Sequence, residues 1–584
     1  MRASGDKESG PTVGGDLWQR LRGVLVLAVA IAVVLGAGEL AGLLRAAGMV
    51  PGSYRVANGA VRDGDEADAS YDEGPGASEG EPDVSSDADP GLVVDPQDAF
   101  PFARGDDEGL GLPSEGGDDA QPDSADLGGV PTQAELLGRM DAYLDQSFPQ
   151  TGVPGVAVAV VSARGTLYER TLGDCTSTSS TFVIGSLSKS LTAVAVMQLV
   201  EAGQVNLDDS IGAYVADTGL PDSITVRSLL NQTSGFGYYD SLADAWPGAS
   251  AGGFSYSNAN YDLLGRLVES VSGMGYGDYL RERVFSPLGM DDASAYGSGD
   301  VRAAEAARGS VPGHRNWFGL NLADSYLHQD GDHAWGGPSS GYVRASLSDM
   351  EGYLRMYLQG GSGVLGPSSV RSLALSRVPD PYGDTYYGMG WTTFDWDGGE
   401  LVMSHDGQVE NYVSRMVVLP SCGVALVVLG DASDYFGGNE AFWQMADGVV
   451  SIVVGADGIE VDGGERLCLH AEYDGLYLAM VGGALAALLR VRHWSRRFEA
   501  AREEGRVRDL VTWGLVAYGL LPLCLLGVPG LYGAPWRDFA TFVPDASMVV
   551  LVTVALLLSS GVTRLVLALR IRRERASGED SQFL

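Results

Sequence analysis

The stretch GSLSKSLTAVAVMQLVEAG, from Gly185 to Gly203, decides how this chain is read. It holds one of only two lysines in the protein, Lys189; the other is Lys7, and every remaining positive charge among the 38 basic residues is an arginine. Arginine stays protonated at any pH a protein meets, whereas a desolvated lysine can lose its proton and act as a base. Leu187, Leu191, Val194, Met197 and Val200 recur at helical spacing, and Gly203 closes the run as a C-terminal cap. On such a helix Ser186 and Lys189, three residues apart, share one face. Ser-x-x-Lys then pairs a nucleophile with its activating base, and a serine at the first turn turns its own backbone N–H toward an oxyanion forming on the substrate.

The rest of the chain sets the context. Its 584 residues exceed one ordinary domain, and a formal net charge of −38 argues against nucleic acid as a partner. More than half of that charge is concentrated between Asp63 and Asp126, where 21 acidic residues face one basic residue, Arg104. Residues 58–130 are rich in Gly, Pro, Ser and Asp and have too few apolar side chains to offset chain entropy, so they are expected to form a disordered, self-repelling linker. Cys175, Cys422, Cys468 and Cys524 fit no metal spacing, and nothing in the sequence selects a disulfide among the first three. The cluster HQDGDH (His328, Asp330, Asp332, His333) carries ligand-type residues but looks like a polar loop. No metal and no cofactor are expected.

Four segments are apolar enough to span a bilayer. The first, residues 23–45, follows a short cytoplasmic N-terminus (1–22); Glu39 and the lack of a small-x-small cleavage site favour a retained anchor over a cleaved signal segment. The other three, about 473–491, 510–532 and 548–569, make residues 473–584 a membrane unit. Seven arginines lie between Arg490 and Arg508, and Arg570, Arg572, Arg573 and Arg575 follow the last span, whereas the loop from Gly533 to Ser547 has only Arg537. The excess of positive charge places both termini and the Arg-rich loop in the cytoplasm, and everything between the first two spans outside.

That outer region, residues 131–467, begins where the acidic tract stops. AELLGRMDAYLDQSF is an amphipathic helix with Leu136, Leu137, Met140, Tyr143 and Leu144 on one face. GVAVAVVSARGTLYERTLG follows as a hairpin, and ELVMSHDGQ, YVSRMVVLP and GVALVVLGD are three strands near the region's end. Two strands at the start and three at the finish, with a mostly helical middle, predict one sheet closed by the two ends of the region. Helices would cover its faces, and a separate helical lobe would hold the middle. Two more motifs carry chemistry. In FSYSNANYDLLGRLVE, Tyr256, Ser257 and Asn258 sit in a loop before a helix; a tyrosine beside an ammonium group has a depressed pKa and suits proton transfer, and Asn258 offers a donor and an acceptor to a substrate amide. In MSHDGQ, His405 and Gly407 end an apolar strand, the glycine lets a substrate approach closely, and the N–H of Gln408 is a second oxyanion donor.

Ser186-x-x-Lys189, Tyr256-x-Asn258 and His405-x-Gly407, in this order, resemble the three motifs of the class C β-lactamase and penicillin-binding protein serine hydrolases. LLNQTSGF (Leu229–Phe236), FSPLGM (Phe285–Met290), GGPSSGYVRASLSDM (Gly336–Met350) and YGMGW (Tyr387–Trp391) match as well, so the resemblance covers roughly Pro131 to Ser451. It implies an α/β (α+β) β-lactamase/transpeptidase-like fold: an antiparallel sheet flanked by helices, an all-α lobe, and the site between them. It makes Ser186 the acylated nucleophile and Lys189 its base, with Tyr256 sharing that role and protonating the leaving group. Asn258, His405 and Gly407 would bind substrate, and the N–H groups of Ser186 and Gln408 would form the oxyanion hole. The chain departs from the β-lactamases at His405, where they carry lysine, a change common in the family's esterases and peptidases. Exported domain plus three C-terminal spans also resembles the membrane-bound D-amino peptidases that unmask nonribosomal peptide prodrugs. Those place a Glu three residues before the serine; here that position is Val183, so their specificity is not implied.

The function expected is a membrane-anchored extracytoplasmic serine hydrolase, a peptidase, amidase or esterase, acting on a small molecule or peptide. The alternatives are a β-lactam-binding sensor, or a D-alanyl carboxypeptidase or β-lactamase acting on cell-wall-like substrates. The cytoplasmic loop and tail are too short for a signalling domain, and spans free of acidic residues look like an anchor and not a transporter. Oligomeric state is left open.

Overall fold

A computed structural model describes residues 133–580, apart from 382, 397–399, 436 and 532. The expected first span and the acidic linker therefore lie outside the described residues. The described chain opens with a helix, Gln133–Thr151, that buries Leu136, Met140 and Leu144 but leaves Leu137, assigned above to the same face, exposed. Then come the hairpin strands β1 (Gly155–Ser162) and β2 (Gly165–Gly173) and the short β3 (Thr181–Val183). The middle of the chain adds β4 (His314–Trp317), β5 (Leu320–Ala323) and β6 (Arg344–Ser346) among its helices. The end supplies β7 (Val378–Pro379), β8 (Tyr386–Gly388), β9 (Trp391–Trp396), β10 (Glu400–Gln408), β11 (Val413–Leu419), β12 (Val424–Gly430) and β13 (Ala432–Ser433).

Eight of these strands form one antiparallel sheet in the order β2-β1-β12-β11-β10-β9-β8-β7. The chain's two ends meet where β1 pairs with β12, Val156 opposite Gly430 through Ser162 opposite Val424. The five strands expected are all present; β7, β8 and β9 are additions, because short strands leave too few alternating residues to register as a pattern. β1 shows why its sequence is a continuous apolar run. Ala157, Ala159 and Val161 face one core, with the Ser188–Glu201 and Leu347–Leu358 helices, while Val156, Val158 and Val160 face another, with the Gln133–Thr151 and Glu440–Val453 helices. A strand covered on both sides has no solvent face to make polar, and each buried Val contributes about 1.5–3 kcal/mol.

The C-terminal region contains three helices long and apolar enough to cross a membrane: Gly463–Glu503, Val507–Leu526 and Pro544–Arg575. Their bounds differ from the expected ones. The first helix starts at Gly463, so the break expected between residues 467 and 473 falls inside one continuous helix that also carries Glu465, Glu472 and Asp474. The second stops at Leu526, because Gly527 and the Pro529 that follows favour a new turn, and a short helix resumes at Val528–Leu531. Arg564, the one charge within the last apolar run, is buried among the helices. It donates to Ser560 O at 3.0 Å and to Ala487 O at 2.7 Å, and lies 4.3 Å from the ring of Tyr518, so a polar group in an apolar bundle finds partners there.

Candidate active site

Ser186 lies in a 3-10 turn, Gly185–Leu187, one turn ahead of the helix Ser188–Glu201 that carries Lys189. The nucleophile candidate is therefore just outside the α-helix, not in its first turn as expected. Ser188 ties the turn down by donating to Gly185 O at 2.7 Å and accepting from Val343 N at 3.1 Å. The helix itself is buried nearly all round, Ala193, Ala195 and Val196 included, because it runs through the core between sheet and lobe. Its apolar stripe was legible; its small residues on the opposite side are what let the lobe close over it.

Lys189 is fully buried, and its Nζ has three oxygen neighbours: Ser340 O at 2.6 Å, Asn258 Oδ1 at 2.7 Å and Ser186 Oγ at 3.1 Å. Burial pushes its pKa down to about 7, against a smaller upward pull from Asp262. Two of its neighbours, the Ser340 carbonyl and the Asn258 amide oxygen, can only accept. A neutral amine has two protons and one lone pair, so those two take the protons and leave the lone pair for Ser186. Tyr256 OH approaches the same serine oxygen at 2.8 Å, and Nζ sits 4.7 Å from the centre of the Tyr256 ring. Ser186 and Tyr256 are partly exposed while Lys189 and Asn258 are buried, so the serine oxygen is accessible and the amine beside it is not.

Asn258 is the first residue of the helix Asn258–Ser272, with Ser257 as its N-cap, and not a loop residue as expected. The stretch around Gln232 holds it there. Gln232 Oε1 accepts from Ser257 N at 2.9 Å and also from Asn260 Nδ2, and Asn260 Oδ1 accepts from Ser234 Oγ at 2.6 Å. The LLNQTSGF stretch thus acquires a physical role, which its composition did not disclose.

The third motif differs most from expectation. His405 is completely buried, and burial, with the Lys189 charge adding to it, pushes its pKa down to about 3. Its Nδ1 donates to the Asp406 carbonyl at 2.7 Å, which leaves Nε2 as an acceptor facing the Tyr387 hydroxyl at 3.4 Å. His405, expected to bind substrate, is instead a neutral acceptor beneath the site. Asp406 points to the other side of β10, as alternation along a strand requires, and pairs with Arg415 at 2.6 Å. Gly185, at φ +57°, rests on the backbone of Gly407 and Gln408: a Cβ there would lie 2.6 Å from Gln408 N. The Ser186 and Gln408 N–H groups accordingly come from two segments in direct contact.

A second polar cluster borders the site. His328, from HQDGDH, has Glu410 Oε1 3.1 Å from Nδ1 and Gly336 O 3.0 Å from Nε2, and stacks on Tyr342. Both ring nitrogens face acceptors, so both carry protons and the ring is an imidazolium. Burial lowers its pKa, but the hydrogen bond and charge of Glu410 outweigh that and hold it raised. The other members of that stretch turn elsewhere: Asp330 to Ser298 N at 2.8 Å, Asp332 to Arg266 at 2.8 Å, and His333 to solvent. Among the described residues, Asp174, His314 and Asp431 do offer ligand atoms within 4.8 Å of one another. His314 Nδ1 lies 3.0 Å from Asp431 O and Asp431 Oδ1 accepts from Gly155 N at 2.7 Å, while the buried Asp431 Oδ2 has no hydrogen-bond partner. Cys175 is buried, whereas Cys422 and Cys468 are exposed.

An antiparallel sheet with helices on both faces, a helical lobe, and a serine, lysine and tyrosine gathered where they meet is the build of a β-lactamase-type serine hydrolase. A family model described as Beta-lactamase matches residues 136–448, and the chain belongs to that family. Penicillin-binding protein 4 of Amycolatopsis lactamdurans is 30% identical over 325 residues, 49% of this chain and 83% of that protein. Protein flp of Staphylococcus aureus (strain MW2) is 23% identical over 339 residues, 51% of this chain and 64% of that protein. Among solved structures, D-amino acid amidase from Ochrobactrum anthropi SV3 complexed with D-phenylalanine aligns with a TM-score of 0.46 at 22% identity, covering 55% of this chain and 99% of that one.

Proposed function

We propose that this protein is a membrane-anchored serine hydrolase whose catalytic region, residues 131–467, works outside the cytoplasmic membrane on a peptide, amide or ester through an acyl-enzyme on Ser186. The observation that carries the reading is the Lys189 amine, buried, lowered in pKa and 3.1 Å from Ser186 Oγ. Neutral Lys189 takes the Ser186 proton as Oγ attacks the substrate carbonyl carbon. The negative charge that develops on the carbonyl oxygen is met by the N–H groups of Ser186 and Gln408. The proton then passes by way of Tyr256 to the leaving nitrogen or oxygen, the bond to that atom breaks, and Ser186 remains acylated. Water attacks the ester carbonyl carbon, the same base accepts its proton and passes it to Oγ as the acyl–Oγ bond breaks, and the carboxylic acid and the free serine are released. Asn258 borders the substrate path, Gly407 lets the Ile184 backbone and Ser414 pack against the end of β10, and His405 supports the site from below. The Arg-rich loop and tail support a cytoplasmic placement of the far ends of the three apolar helices.

Fluorophosphonate labelling tests this directly. The wild-type chain in membranes is expected to label and Ser186→Ala is expected to lose the label entirely; equal labelling of the two overturns the assignment. The likeness to Penicillin-binding protein 4 favours a second reading, a carboxypeptidase acting on cell-wall-like peptides. Release of a terminal D-residue from such a peptide, absent with N-acyl esters and amides, distinguishes it.

A further inference from the structure

The hairpin formed by β4 and β5 has its polarity inside out. In its register Asn316 faces Asn321, and Arg315 and Trp317 face Leu322 and Leu320. The asparagine pair points inward: Asn316 is buried and Asn321 Nδ2 donates to Gly152 O at 2.8 Å. The opposite side carries Leu320, 63% exposed, and Leu322, 47% exposed, with Phe318 at the tip also exposed. A hairpin on a water-facing surface alternates the other way, apolar in and polar out. β5 is moreover an edge strand of its three-stranded sheet, where a water-facing protein places charge and not leucine. The tip is a two-residue turn in which Phe318 (φ +55°) and Gly319 (φ +75°) both adopt the left-handed conformation. Such turns favour Asn-Gly, and a bulky aromatic at the first position is held there against its own preference.

The tip lies between two of the apolar helices. Phe318 N donates to Asp545 Oδ2 at 3.1 Å, its ring meets that of Tyr477 edge-on at 6.1 Å, and Arg466 donates to Gly319 O at 3.4 Å. Those partners fix its height. A span of about 30 Å takes about 20 helical residues. Counted outward from Arg490, that reaches residue 470, but Glu472 and Asp474 keep the outer hydrocarbon boundary of the first helix near Gly475, so Tyr477 lies about 3 Å inside it. Counted from Arg570 on the last helix, the boundary falls near residue 550, so Asp545 lies about 8 Å outside it. The hairpin tip sits between these levels, beside Leu476, Leu478 and Met548, which are themselves exposed on the helices.

We propose that the β4–β5 hairpin is a lipid-contacting foot: Trp317, Phe318, Leu320 and Leu322 enter the headgroup–acyl boundary of the outer leaflet and hold the catalytic region at a set height on the bilayer. Aromatic and leucine side chains at that depth, with polar groups turned back to the protein, are the composition an interfacial anchor needs. The foot is continuous with the site, since the chain leaving β5 runs directly to His328. It rests on the membrane reading given above.

The test uses the full chain in vesicles of phosphatidylcholine and phosphatidylglycerol, with Cys422, Cys468 and Cys524 replaced by serine. An environment-sensitive fluorophore is attached at Leu320→Cys, at Leu322→Cys or, on the last helix, at Leu551→Cys. Retained fluorophosphonate labelling shows that each variant is folded. Lipid bearing a nitroxide near the headgroup is expected to quench the two hairpin probes about twofold or more, as for groups about 5–10 Å below the surface, with aqueous iodide having little effect. Hairpin probes open to iodide and untouched by the nitroxide lipid, with the Leu551 probe quenched by it, overturn the foot and leave the membrane reading standing. If the Leu551 probe also escapes quenching, both fall.

Discussion

At Lys189 the proposed chemistry depends on one lost proton. The neutral base is present above about pH 7, where burial has placed the lysine, and disappears as pH falls through that value. Hydrolysis of a p-nitrophenyl ester is therefore expected to show kcat/KM rising between about pH 6 and 8. His405, pushed down to about 3, stays neutral throughout and adds no limb of its own. Lys189→Arg keeps the charge but has no accessible neutral form, so both the labelling and the activity should be lost; a variant retaining most of its activity would refute the role given to this lysine. The neutral His405 has a second consequence. It offers no positive charge to the carboxylate of a cephalosporin, and losing one charge-assisted hydrogen bond costs on the order of 1–2 kcal/mol, about tenfold in binding. Cephalosporin turnover at pH 7 is expected to fall below a kcat/KM of about 10⁴ M⁻¹s⁻¹, the lower edge of ordinary enzyme efficiency. A value above it would mean that carboxylate recognition does not pass through this position.

Among the elements, the contact between the Gly185–Leu187 turn and the end of β10 sets the relative position of the Ser186 and Gln408 N–H groups, the proposed oxyanion donors. Gly185→Ala would place a Cβ against Gln408 N and Gly407 Cα in a left-handed backbone conformation. Strain and overpacking together should cost about 2–4 kcal/mol. Gly203→Ala is the matched control: its φ is also positive but nothing lies within 4 Å, so only the conformational cost of about 1–2 kcal/mol applies. Thermal melts of the detergent-purified chain should separate the two, and Ser186 labelling should fall only for Gly185→Ala. Equal behaviour of the two would remove the contact from the account. The nucleophile helix, the N-terminal helix, the hairpin and the last three long strands were legible because each carries its own period over many residues. β7, β8 and β9 were not, being short, and neither was the placement of Asn258 at a helix start, which Gln232 secures from a separate part of the chain.

For the whole molecule, topology is the decisive property. Reporter tags after Leu127 should lie outside the cell, and tags at Glu503 and Leu584 inside; a tag at Leu584 found outside would mean that one apolar helix does not span. The amino-acid sequence by itself determined the quantities that are local or additive. The Ser-x-x-Lys spacing, the lengths of the apolar runs and the arginine bias of their flanks all depend on neighbours in the chain. The tertiary structure alone decided what depends on which distant groups meet. The Ser340 carbonyl and Asn258 orient the Lys189 lone pair, His405 turns its acceptor toward Tyr387, Glu410 keeps His328 charged, and β5 carries its leucines outward beside the apolar helices. Protonation state and hydrogen-bond direction follow from burial and from the partners burial brings, and burial is a property of the assembled fold, not of any one segment.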